Sequence, residues 1–227
     1  MLKRITLFSL VLSLFVSCSG YESSSENLYE NIPVKNDIDG VSIEASSVNT
    51  QNIDNYLFRE DVVYVDLRPY AEIMKQGHIA GFSFYPFYEF IATNEVAKDE
   101  NGNPINNRLF SMKDERGKMG QVGNFVPNYV ESEQILYSFF PKDKYIFALT
   151  ISCNESMYFL NLLKQYDYNP AHLYNIGGFS IGTGLENKAY INIDNPKYLV
   201  RGNGFLQSYS GYTTFDFMKD LTPINIQ

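Results

Sequence analysis

An α/β fold built on a central parallel sheet is predicted by two features of the sequence. The first is a set of short, β-branched or aromatic runs that stay apolar at nearly every position. Such runs suit strands covered on both faces of a parallel sheet, not half-exposed antiparallel ones. The second is their alternation with stretches of helical character, the order that βαβ units impose. The chain has 227 residues, 44% of them hydrophobic and 15% aromatic, enough for one medium-sized core.

The elements follow in chain order. Val62-Val63-Tyr64-Val65-Asp66-Leu67 is the first buried strand. Pro69 to Lys75 follows as a short helix with proline in its first turn, where the missing N–H costs nothing. Gly77-His78-Ile79-Ala80-Gly81 breaks that helix, and Phe82 to Phe87 reads as another strand. Residues 97–128 change character: Asn101-Gly102-Asn103-Pro104 is turn chemistry, and the glycines at 117, 120 and 123 leave little periodicity. An irregular insertion of that length is expected to be functional or disordered. A helix is predicted over Glu131–Phe140, a buried strand over Tyr145–Leu149, and a helix over Ser156–Tyr166 with Leu160 and Leu163 on one side. His172 to Ile176 is the last buried strand, ended by Gly177-Gly178. The domain is therefore expected over residues 41–184, with a C-terminal extension over 185–227 that carries no readable motif.

The amino terminus reads differently. Met1-Leu2-Lys3-Arg4 is basic, and Ile5 to Val16 is apolar but too short to span a bilayer, the pattern of an export signal over residues 1–17. Phe15-Val16-Ser17-Cys18 resembles a bacterial lipobox, which implies lipid on Cys18 and a chain held at the cell membrane on its extracytoplasmic face. The alternative is an ordinary cleaved signal. Residues 18–40 are polar and acidic and read as a flexible tether. With Cys18 acylated, the second cysteine, Cys153, has no intramolecular partner and is a candidate reactive thiol. A net charge of −8 argues against nucleic acid as a partner. Neither histidine has a cysteine or carboxylate at metal-ligand spacing, so no metal site or cofactor is expected.

Three segments together resemble the rhodanese family. Val65-Asp66-Leu67-Arg68 followed by Gly77-His78-Ile79-Ala80-Gly81 and Pro86 is similar to the family's Asp-x-Arg strand end and Gly-His-Ile-x-Gly turn. Residues 143–168 resemble its strand, active loop and following helix. Tyr174-Asn175-Ile176-Gly177-Gly178-Phe179 resembles its closing strand. The resemblance implies a three-layer fold and a loop at the end of the fourth strand, where a cysteine takes up sulfane sulfur as a persulfide. Counting without gaps from both sides brings Thr150 to that cysteine position, and Cys153 falls three residues later.

The resemblance thus makes Thr150, Ile151, Ser152, Cys153, Asn154, Glu155 and Ser156 the active-loop residues. Asp66, Arg68 and His78 border the same cleft and read as structural: the first two pair with each other or with backbone, and His78 satisfies a turn. No lysine or arginine lies between Tyr145 and Leu163, and Glu155 stands two residues from Cys153, which disfavours a thiolate. A phosphatase would need arginine six residues beyond its nucleophile; Phe159 and Ser156 stand there instead, counted from Cys153 and Thr150. The expectation is a non-catalytic or atypical rhodanese-like binding module that takes a small sulfur compound or a protein partner. The alternative is a sulfurtransferase with the displaced Cys153 as sulfur acceptor.

Overall fold

The computed structural model describes residues 31–34, 46–49, 52–92, 108–113, 124–151, 154–179, 198–200 and 221–224. Its centre is a four-stranded parallel sheet flanked by helices, in the order β3-β1-β7-β8. The strands are β1 (Val62–Asp66), β3 (Ser83–Phe84), β7 (Tyr145–Thr150) and β8 (Leu173–Gly178). Strand alternation sends neighbouring side chains to opposite faces, and both faces are apolar here. On β7, Ile146 and Ala148 join one core cluster, while Phe147 and Leu149 join a second. The same division splits Val65 from Val62 and Tyr64 on β1, and Leu173 from Tyr174 on β8.

The first cluster is covered by α2 (Phe87–Phe90), α3 (Ser132–Phe139) and α4 (Asn154–Gln165). Phe159 of α4 is fully buried, its ring 4.9 Å from that of Phe140 and 6.0 Å from that of Phe90. It therefore joins three helical segments around one point. The second cluster is covered by the 3-10 turn Ile53–Tyr56 together with Val48, Ile79 and Phe82.

The strand expected over Phe82–Phe87 is shorter than its composition suggests. Only Ser83–Phe84 pairs, since Pro86 has no N–H to give a ladder and instead precedes α2. The helix beginning at Tyr70 runs to Gln76 as α1, and Gly77 closes it at φ 87° with its N–H bonded to Ile73 O. Gly81 also sits at φ 87°, and a Cβ there would meet the Phe58 ring at 3.2 Å, so glycine alone suits this turn.

Within the insertion expected over 97–128, the described residues 108–113 and 124–128 include two strands. β4 (Ile91–Ala92), β5 (Phe110–Lys113) and β6 (Asn124–Pro127) form a second, three-stranded sheet. Leu109, Phe110, Met112 and Phe125 bury themselves in the first cluster. Buried polar groups fasten it. Ser132 Oγ donates to Leu109 O at 2.7 Å, Ser111 Oγ to Asn128 Oδ1 at 2.8 Å, and Asn128 Nδ2 to Arg108 O at 2.7 Å. The Gln165 amide meets both backbone groups of Phe125, tying β6 to the end of α4.

Both flanks of the domain also touch it. Tyr174 OH donates to Pro33 O at 2.8 Å and Ile32 packs on the second cluster, so the stretch read as a tether is docked by residues 31–34. Within the C-terminal extension, β9 (Leu199–Val200) pairs antiparallel with β2 (His78–Ile79). Further on, Val130 N donates to Thr222 O and Ile224 N to Asn128 O, both at 2.9 Å. The extension therefore contributes edge pairing at two separate places.

Candidate functional site

The carboxyl ends of β1, β7 and β8 bring the motif segments side by side. Leu67 N donates to Leu149 O at 2.8 Å, and Phe179 N to Thr150 O at 2.5 Å. Asp66 and Arg68, leaving β1, form a fully buried ion pair with Arg68 Nη2 2.6 Å from Asp66 Oδ2. Arg68 Nε donates to Asp66 Oδ1 at 2.9 Å, and Nη2 also donates to Gly77 O at 2.8 Å. The guanidinium lies 3.8 Å above the centre of the Phe179 ring, while Nη1 has no hydrogen-bond partner among the described residues. Stacking on an aromatic face offsets part of that lost bond. One guanidinium thus links the end of β1, the turn at Gly77 and the residue after β8.

His78 is half-buried beside this pair, its ring edge-on to Phe84 at 4.7 Å. Burial pushes its imidazole below the ordinary value of 6.5; Asp66 pulls it back up and Arg68 lowers it further. On acidification the unfolded chain takes this proton first. The stability His78 contributes is therefore complete above pH 6.5 and is lost as pH falls through the lower folded value. We expect His78→Gln to remove that loss. Melting curves recorded against pH should converge or cross below 6.5 and run parallel above it; parallel curves throughout would show that His78 does not carry it.

Thr150 ends β7 and is 1% exposed. Its hydroxyl donates to Glu155 Oε2 at 3.0 Å, and Tyr88 OH lies 3.4 Å from Glu155 Oε1. Glu155 belongs to the first turn of α4, where a carboxylate is favoured by the unpaired backbone N–H groups. Ser156, next along that turn, is fully buried, and its hydroxyl has no partner among the described residues. Ile151 is half-buried; Ser152 and Cys153 lie outside the described residues, as does Cys18, and of Asn154 only its backbone place at the start of α4 is described. Arg108 Nε donates to Tyr88 O at 2.5 Å. Burial raises the neighbouring Glu89 carboxyl above its ordinary range, with Arg108 opposing.

The sequence places Thr150 and Glu155 in one active loop, with Glu155 an unfavourable neighbour of Cys153, but gives no sign of the contact between them. No spacing rule pairs a strand end with a helix turn five residues later. Among the described residues no cluster of three or more His, Cys, Asp or Glu side chains is placed to hold a metal, and no helix is long and apolar enough to cross a membrane. No protein-family model, curated protein or solved structure matches the chain.

Proposed function

We propose that this chain is a rhodanese-like module that binds a small molecule or a protein segment at the carboxyl end of its parallel sheet without transferring sulfur. The fold reading is supported by the adjacency of the three motif segments on β1, β7 and β8. The observation that carries the functional reading is Thr150. The position aligned with the family's cysteine holds a buried hydroxyl engaged with a carboxylate at 3.0 Å. A hydroxyl cannot form a persulfide, and its pKa is far too high for a carboxylate to ionise it. Clefts at this end of parallel sheets bind ligands whatever chemistry they host. The basic start, the apolar run and Cys18 support attachment of the module to the membrane through lipid, facing away from the cytoplasm.

The test is thiosulfate-dependent persulfide formation and sulfur transfer to cyanide by the full chain and by Cys153→Ser. Both should give thiocyanate no faster than the protein-free blank. Turnover by wild type that disappears in C153S would overturn the reading and establish sulfur transfer through Cys153.

A further inference from the structure

The charge at the start of α4 says which ligands this cleft accepts, provided the cleft is the recognition site proposed above. A helix N-terminus ordinarily attracts anions, because its first backbone N–H groups lack intrahelical partners and the helix dipole is positive there. Here an anion is already supplied by the chain. Glu155 lies on that first turn with one carboxylate oxygen accepting from Thr150 and the other 3.4 Å from Tyr88 OH. We propose that Glu155 is the specificity-determining residue of the cleft: its carboxylate takes the anion position at the start of α4, excludes anionic ligands such as thiosulfate, and would keep a thiol at position 150 protonated.

Three independent facts support this. From Tyr145 to Leu163 the chain has no lysine or arginine to offset the charge. Two described arginines are committed elsewhere, Arg68 to Asp66 and Gly77, and Arg108 to the backbone of Tyr88. Ser156, fully buried on the same turn, keeps a hydroxyl with no partner among the described residues, so that turn holds no bound counter-group other than Glu155. Two like charges a few ångströms apart at a half-buried site shift an ionisation or a binding equilibrium by roughly tenfold or more.

Two measurements on the full chain test the assignment. In the first, thiosulfate and sulfate are titrated into wild type, E155Q and E155A. Both variants should bind at least about tenfold more tightly than wild type; unchanged affinity in the folded variants would overturn the proposal. In the second, T150C and T150C/E155Q are compared in a C18S/C153S background, so that one thiol reports through its ultraviolet thiolate absorbance. The thiol should titrate about one pH unit or more lower when E155Q is present; equal midpoints would overturn the proposal. These results separate from the functional reading. Sulfur transfer by wild type through Cys153 would sink the module and leave the Glu155 effect measurable, whereas equal midpoints would sink the effect and leave the module.

Discussion

Arg68→Ala should lower the unfolding free energy by about 3–5 kcal/mol, because it strands the Asp66 carboxylate in a fully buried site. The loss has three sources. Asp66 loses its counter-charge, Gly77 O loses its donor, and the space above the Phe179 ring is emptied. Arg68→Lys keeps the charge but not the fork that reaches Asp66 and Gly77 together, so it should recover only part of the loss. The double replacement D66N/R68M is the informative companion. With both charges gone no uncompensated ion remains, and stability should return to well above that of R68A. Urea denaturation of the four proteins decides it. An R68A chain within 1 kcal/mol of wild type would mean that the pair is not buried as described.

Phe159→Ala should cost about 3–5 kcal/mol, the range for emptying an aromatic site inside a packed core. Its ring touches Phe140 and Phe90, which belong to separate stretches of chain, so no single element can relax inward to fill the space. Phe159→Leu should retain over half of the lost stability, since most of the volume is kept. The same unfolding measurement applies. Equal stabilities for F159A and F159L would show that the site collapses and that the three helices are less tightly joined than their rings indicate.

Much of the central architecture could be read from the chain. Val62–Leu67 and Tyr145–Leu149 are apolar at nearly every position, since residues buried on both sides of a sheet have no reason to alternate, and Leu173, Tyr174 and Ile176 supply the third strand. The second sheet could not be read in the same way. Its apolar stretches, Leu109–Met112 and Phe125–Val126, are too brief to establish a period and are separated by glycine-rich sequence. Their burial is decided by Asn128, Ser132 and Gln165, whose partners lie across the fold. The site divides along the same line. Asp66 and Arg68, two residues apart at a strand end, announce a pairing. The stacking of Arg68 on Phe179 joins residues remote in sequence, and only the fold brings them together.

The two places where the C-terminal extension pairs with the domain bear on how the protein is made. β1 finds one neighbour, β3, within about twenty residues, but its other neighbour, β7, begins at Tyr145, and the edge of β2 waits for Leu199. Residues 128–131 wait longer still, for Leu221–Ile224. Pairings between distant segments must absorb their loop-closure entropy before they return any stability, which slows folding and leaves strand edges open meanwhile. A nascent chain halted before residue 198 would therefore present the Gly77–Gly81 turn with its edge unclosed. The two contacts of the extension are the last of these pairings to close, and a truncation upstream of residue 221 would remove the second of them.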